Sequence, residues 1–287
     1  MSRAPLGVLG GSGLYQMAAL ASVREERLKT PFGDPSDAFI LGRIDGRDVA
    51  FLSRHGRGHR LSPTEINYRA NLCGFKMLGV ERVISISAVG SMKEDLRPLD
   101  VVLPDQFIDR TRQRISTFFG GGVVAHVSLA DPICGELRGV MAKAAAGTKA
   151  RLHDGGTYLC MEGPQFSTRA ESHLYRSWGV DVIGMTNLQE AKLAREAEIC
   201  YATAAMVTDY DCWKVEEAAV TVEEIVARLG ENAETAQAIV ARTLATLPGT
   251  RGCGCGTALR NAILTDRAQI GPEARERLRP IAGRYLE

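Results

Sequence analysis

Two spacings alternate along this chain. Leu6-Gly7-Val8-Leu9 is a short continuous apolar run that opens into Gly10-Gly11-Ser12-Gly13, the pattern of a buried strand entering a glycine loop. Residues 38–44 and 48–53 are two more short runs, and Asp45-Gly46 between them predicts a hairpin. Over 65–78 the spacing turns helical, with Ile66, Ala70, Cys73, Met77 and Leu78 tracing one face. Strand-like runs follow at 83–88, 100–103, 156–161, 181–183 and 199–207. A helix is predicted over 131–146, with Asp131 as its cap and Pro132 at its first position. Another spans 168–178 and ends at Gly179. Asn187 with Glu190 reads as a capping box for a helix to about 197. Thr221 with Glu224 reads as a second, opening a long helix to about 247 that Gly230 interrupts. A glycine-rich loop over 248–256 and a polar, arginine-rich helix end the chain. Strands and helices alternate with no internal repeat and no linker, so the expectation is an α/β fold in a single domain over 1–287.

Composition narrows the partners. With 45% hydrophobic and 24% charged residues in 287, the chain can bury a substantial core. Its 35 Lys and Arg against 34 Asp and Glu argue against a nucleic-acid backbone or an anionic membrane as the main partner. A small anion needs only a few local donors and stays open. Residues 1–5 carry one Arg and no apolar stretch, so no secretory signal is expected, and no apolar run approaches membrane length. The expected location is the cytoplasm. Of seven cysteines, Cys73, Cys134, Cys160, Cys200 and Cys212 are scattered and read as buried thiols. Cys253-Gly254-Cys255 is a tight pair in a glycine-rich loop. Its spacing is not a usual zinc pattern and no second Cys or His cluster accompanies it in sequence, which leaves a strained disulfide or two free thiols.

In open α/β sheets, ligands bind beyond the carboxyl ends of strands. Four polar motifs fall at such ends. Gly10-Gly11-Ser12-Gly13 offers backbone N–H groups and a hydroxyl, a phosphate cradle or simply a tight turn. It matches neither the dinucleotide fingerprint nor a Walker loop. Arg54-His55 adds a bidentate fork and a second donor for an oxyanion, while Arg57, His59 and Arg60 either stay solvated or close over it. Ser87-Ala88-Val89-Gly90-Ser91 adds a hydroxyl and a compact turn. Thr208-Asp209-Tyr210-Asp211 places two carboxyls at i and i+2, on one side of a strand, where crowding raises the pKa of each. Phe166, beside Ser167 in a loop, either stacks on a flat heterocycle or anchors the loop in the core. An anion site, a stacking surface and an acid suit anion attack on a sugar that bears a heterocyclic leaving group.

A series of motifs then resembles a known family. It runs Gly10-Gly11-Ser12-Gly13-Leu14, Thr30-Pro31-Phe32-Gly33, Arg54-His55-Gly56, Asn67-Tyr68-Arg69-Ala70-Asn71 and Asp105-Gln106-Phe107-Ile108-Asp109-Arg110-Thr111. Glu162-Gly163-Pro164-Gln165-Phe166-Ser167-Thr168-Arg169-Ala170-Glu171-Ser172 and Ala205-Met206-Val207-Thr208-Asp209-Tyr210-Asp211-Cys212-Trp213 complete it. The series resembles the S-methyl-5′-thioadenosine phosphorylase family, within the trimeric purine nucleoside phosphorylases, over 6–247.

The resemblance implies a central mixed sheet, partly barrel-like, flanked by helices, and a homotrimer or homohexamer. It implies reversible phosphorolysis of methylthioadenosine, with inorganic phosphate as co-substrate and no metal or organic cofactor. Phosphate-binding roles would fall to Ser12, Arg54, His55, Ser87, Ala88 and Thr186. Ser12 and Ser87 stand where relatives often have Thr and keep the hydroxyl. Asp209, Asp211 and His55 would be catalytic. Phe166, Ser167, Met185, Asp209, Tyr210 and Asp211 would contact the nucleoside, Val222 and Ile225 would line a methylthio pocket, and His126 would reach a neighbouring subunit's site. Asn187 and Leu188 depart from the usual family pattern, the tail over 248–287 matches less well, and Cys253-Gly254-Cys255 resembles a Cys-x-Cys disulfide of some archaeal relatives. A 6-oxopurine phosphorylase is the nearest alternative. Such relatives usually carry Asn where Asp209 stands, so the paired carboxyls favour an aminopurine. A purine-binding protein without turnover is the alternative from another class.

Overall fold

The Asp45-Gly46 turn shows how local chemistry becomes structure. Both residues hold positive φ, 49° and 77°, the geometry of the two-residue turn whose twist suits a hairpin. They join β3 (Phe39–Ile44) to β4 (Arg47–Ser53), with Ile44 opposite Arg47. The computed structural model describes residues 5–287 apart from 12–13, 15–16, 18 and 215–221, and the backbone alone over 222–229.

Among the described residues, eleven strands form one mixed sheet. Besides β3 and β4 these are β1 (Leu6–Gly10), β2 (Ala21–Glu26), β5 (Arg82–Ser91), β6 (Val101–Leu103), β7 (Gln106–Arg110), β8 (Leu152–Asp154), β9 (Thr157–Met161), β10 (Val182–Gly184) and β11 (Cys200–Tyr210). The main path runs β2-β3-β4-β1-β5-β10-β9-β7, and it forks at β5, which also pairs along its length with β11. β11 in turn leads to β6 and β8. β1, β4, β5 and β11 run parallel to their neighbours in this group, so their carboxyl ends emerge on one edge. β1 and β11 are buried along their whole length, as continuous apolar runs in parallel sheets require.

The helices are α1 (Tyr68–Met77), α2 (Gly135–Ala146), α3 (Arg169–Ser177), α4 (Asn187–Glu196), α5 (Val222–Thr246) and α6 (Pro272–Ala282). Several differ from expectation. α1 begins at Tyr68, because the Asn67 side chain accepts from Ala70 N and caps it there. Met77 is 38% exposed and leaves the predicted apolar face. α2 is capped by Cys134, whose sulfur accepts from Leu137 N, so Asp131 and Pro132 precede the helix. Asn187 is already helical and makes no capping box; Thr186 is the cap residue and uses no side-chain bond. α5 continues through Gly230. Thr221, half of the second expected capping box, lies outside the described residues. Strands β2, β7 and β8 were not expected. β2 is exposed and charged, so it lacks apolar alternation, as suits an edge strand.

One main core joins the whole chain. Leu259, Ile270, Leu278, Ile281 and Leu286 pack in the same cluster as Leu6, Leu52 and Leu72. The tail over 248–287 therefore belongs to the same packed unit. Folding also overturns one reading of the cysteines. The cap of α2, Cys134, and the first residue of β11, Cys200, meet Cys253 and Cys255, and the four sulfurs lie within 4.8 Å of one another. All seven cysteines are free thiols.

Candidate active site

The parallel register carries the four motifs to one sheet edge. Gly10 ends β1 beside Ser53 at the end of β4, and Arg54 N then donates to Gly10 O at 3.0 Å. A Cβ on Gly10 would come 2.4 Å from Leu14 Cδ1 and 3.2 Å from Ile86 O, so glycine lets Leu14 pack closely against the strand end. Ser12 lies outside the described residues.

Arg54 differs from the open fork that its loop setting suggested. It is 3% exposed. Its Nε donates to Glu190 Oε1 at 2.5 Å, Nη1 to Ile86 O, and Nη2 to Ser85 Oγ, Leu9 O and Glu190 Oε2. Burial opposes its charge, but the Glu190 carboxylate outweighs that and holds the guanidinium firmly protonated. Of five N–H groups, a single Nη1 hydrogen is left over by these bonds. Glu190 also accepts from Ser85 Oγ at 2.9 Å and Tyr201 OH at 2.7 Å. Asn187 continues the buried chain, donating to Ser85 Oγ and Thr203 Oγ1 and accepting from Thr186 Oγ1 and Tyr158 OH. Glu190, Asn187, Ser85 and Tyr201 escaped the sequence reading. For Ser85 the signal was a polar residue inside an apolar run, which periodicity alone discounts, whereas Asn187 and Glu190 were read only as a helix cap.

His55 sits beside this network. Its Nδ1 lies 2.8 Å from Leu61 O, which can only accept, so Nδ1 carries the proton and Nε2 has the lone pair. The ring stacks on His59 at 4.3 Å. Burial, then the Arg54 charge, push its pKa down to about 4. Arg57 does not close over an anion: it pairs with Glu25 at 2.8 Å and Asp37 at 3.3 Å, and Arg60 donates to Ser36 O. Ser87 Oγ is buried near the Tyr158 hydroxyl, yet among the described residues no partner meets hydrogen-bond geometry with it. A buried hydroxyl left this way is an unfilled polar position. Ala88 is half-buried next to it, and Thr186 is buried.

The carboxyls lie three residues further along β5. A register shift between Val207 and Asp209 brings Asp209 opposite Gly90. A Cβ on Gly90 would stand 3.2 Å from Asp209 Oδ1 and 3.4 Å from Asp211 Cβ. Asp209 and Asp211 are each 8% exposed, and Thr208 Oγ1 donates to Asp209 Oδ2 at 2.6 Å. Burial raises the Asp211 pKa despite nearby Ser172 and Ser167 hydroxyls that favour its charged form. Tyr210, between them, points the other way: its hydroxyl donates to Glu94 O and its ring packs on Trp213 in a separate core.

Loop 162–167 meets Met185. Gly163 holds φ 66° and has Met185 Sδ 2.5 Å from where a Cβ would be. Arg114, its side chain fully buried, fastens the two: it donates to Met185 O and Glu162 O, to Gln189 Oε1 at 3.1 Å and to Glu162 Oε1 at 3.2 Å. Nothing in the sequence singled it out. Phe166 is 59% exposed, so it does not anchor the loop in the core. Ser167 is half-buried, and its carbonyl accepts from Cys212 Sγ. His126 is exposed, its N–H bonded to Ala262 O, on a segment apart from these loops. The side chains of Val222 and Ile225 lie outside the described residues.

Residues 5–245 match the phosphorylase superfamily, and the chain belongs to it. Within it, the chain is similar to S-methyl-5′-thioadenosine phosphorylases. That of Koribacter versatilis is 61% identical over 99% of this chain and 97% of its own length. The methylthioadenosine phosphorylase sourced from an Antarctic soil metagenomic library superposes with a TM-score of 0.92 at 49% identity, covering 98% of this chain and 99% of the other. The Schistosoma mansoni methylthioadenosine phosphorylase in complex with adenine gives 0.84 at 33%, covering 90% and 96%.

Proposed function

We propose that this chain catalyses the reversible phosphorolysis of S-methyl-5′-thioadenosine to adenine and S-methyl-5-thio-α-D-ribose 1-phosphate, a reaction of methionine and purine salvage. One observation carries the reading: the parallel pair β5 and β11 brings an unpartnered buried hydroxyl, Ser87, and two buried carboxyls, Asp209 and Asp211, to one edge of the sheet. Similarity to methylthioadenosine phosphorylases over nearly the whole chain supports it.

Phosphate binds at the ends of β1, β4 and β5, held by Ser12, Ser87 Oγ, the Ala88 segment, Thr186 and the remaining Arg54 N–H. His55 Nε2 accepts a hydrogen bond from a phosphate hydroxyl. A phosphate oxygen bonds to C1′ as the C1′–N9 bond breaks and its electron pair moves onto the purine. The anion stabilises the positive charge that builds on the sugar. Of Asp209 and Asp211, one protonates or hydrogen-bonds the purine N7 while the other accepts from the 6-amino group. Phe166 and Met185 flank base and ribose, Ser167 supports the carboxyls, and Val222 and Ile225 line the methylthio pocket. The reaction as written needs no metal and no organic cofactor.

His126 reaches a neighbouring subunit in a homotrimer. Its exposed surroundings support this, since Val124 is 50% and Leu264 66% exposed beside it. The enzyme works in the cytoplasm, where free thiols persist.

The test is phosphate-dependent product release from methylthioadenosine, adenosine and inosine. Adenine from methylthioadenosine should far exceed hypoxanthine from inosine, and the reverse ratio overturns the reading. Asp209→Asn should lose more activity on aminopurines than on oxopurines, because an amide can donate to a 6-oxo group. Equal losses would remove Asp209 as the reader of the base.

A further inference from the structure

Cys134 caps α2, Cys200 opens β11, and Cys253 and Cys255 sit at a tight turn after α5. Segments far apart in sequence thus converge on one point. The four sulfurs lie within 4.8 Å of one another, and Cys200 Sγ and Cys253 Sγ are 3.3 Å apart. A tetrahedral zinc with Zn–S bonds of about 2.3 Å holds its sulfurs about 3.8 Å apart. The observed separations bracket that value, so small rotations of side chains would complete the tetrahedron. Three of the four are buried and Cys253 is half-buried, which leaves a path for an ion to enter.

The surroundings favour a bound cation held by thiolates. Leu137 N donates to Cys134 Sγ at 3.5 Å from the first turn of α2, and a helix N-terminus stabilises a thiolate. Four thiolates around one divalent ion leave a net charge of −2. Arg82 stands in register with Cys200 on the adjoining strand, 2% exposed, with a buried Nη2 that has no hydrogen-bond partner among the described residues. Its nearest carboxylate is Glu136, 3.8 Å away, which instead accepts from Gly252 N just before Cys253. On the strand that adjoins Cys200, this buried cation offsets part of the charge of the cluster.

We propose that Cys134, Cys200, Cys253 and Cys255 bind one structural zinc ion that fastens the C-terminal segment to the core. Binding replaces four S–H bonds by four Zn–S bonds and releases four protons to solvent, with no change of oxidation state. Nine residues of strand, roughly 30 Å, separate Cys200 from Asp209 along β11, so the ion takes no part in the chemistry at that edge. The proposal is independent of the substrate assignment.

The experiment uses the full chain purified without chelator. Metal content by inductively coupled plasma mass spectrometry should give one zinc per chain, and a thiol count in denaturant with chelator should give seven. The double variant Cys253→Ser/Cys255→Ser should lose the zinc and unfold at lower temperature while keeping its phosphorolytic kcat/KM. Metal-free wild type, kept reduced, should take up one cobalt(II) with the near-ultraviolet thiolate-to-cobalt band, and the variant should not. Three outcomes overturn the proposal: reduced protein that takes up neither zinc nor cobalt, native protein with these four cysteines mapped as disulfides, or stoichiometric iron in place of zinc.

Discussion

Replacing Glu190 by glutamine is the sharpest test of how the anion end of the site is held. The carboxylate takes two donors from Arg54, one at 2.5 Å and one at 3.2 Å, and a hydroxyl each from Ser85 and Tyr201. Both ionic partners are buried, Arg54 at 3% and Glu190 at 0% exposure. Glutamine keeps the shape but removes the charge, and its NH₂ must face a donor. Arg54 is left as an uncompensated buried cation, which costs about 3–5 kcal/mol. At about 2–4 °C per kcal/mol for a chain of this size, the melting temperature should fall by about 6–20 °C. Tyr201→Phe is the control, because it keeps the charge pair and removes two neutral-donor hydrogen bonds, one to Glu190 and one from Thr203, worth about 1 kcal/mol each. Thermal unfolding by circular dichroism reads both. Phosphate should restore more of the lost melting temperature in Glu190→Gln than it adds to wild type, since the freed guanidinium gains an anion. A Glu190→Gln melting temperature no lower than that of Tyr201→Phe would refute the reasoning.

Other expectations follow from the same geometry. Gly90→Ala puts a methyl 3.2 Å from Asp209 Oδ1 and Ile183 Cγ2; the displaced carboxylate should cost about 10- to 100-fold in kcat/KM, and unchanged kinetics would show that Asp209 is not held in place there. His55 stays neutral in the fold down to about 4, while the unfolded chain protonates it near 6.5. The folded state then binds fewer protons in that window, and stability should fall as pH drops from about 6.5 to about 4. Glu196, raised to about 7 by burial, contributes the opposite slope between about 4.5 and 7, where its stabilisation is lost as pH rises. The difference in melting temperature between wild type and His55→Gln, followed against pH, cancels the Glu196 contribution. Parallel profiles would count against a neutral His55.

Much of the scaffold was legible because its signals are local. An Asp-Gly pair twists a hairpin wherever it occurs, and a continuous apolar run such as 6–9 can only be buried. The carboxyls at 209 and 211 were legible too, since strand alternation fixes their common side, but the same alternation turns Tyr210, expected to contact the nucleoside, towards Glu94 and Trp213. Family resemblance supplied the reaction class from motif order alone. Helix starts at 68, 135 and 187 were misplaced because capping depends on which side chain is free to turn back. Asn187 is spent on Ser85 and Thr203, and that contact is tertiary.

What the amino-acid order determined by itself was the class of fold, the strand ends that carry polar residues, and the residue types available there. Tertiary structure alone decided what each of those residues is joined to. It closed the Arg54 fork on Glu190, drew Arg114 across Met185 and Glu162, and brought four cysteines from separate segments to one point. The physical reason is range. Propensity, periodicity and turn chemistry act over a few residues, whereas charge pairing and sulfur clustering depend on distances through space, which no spacing along the chain specifies.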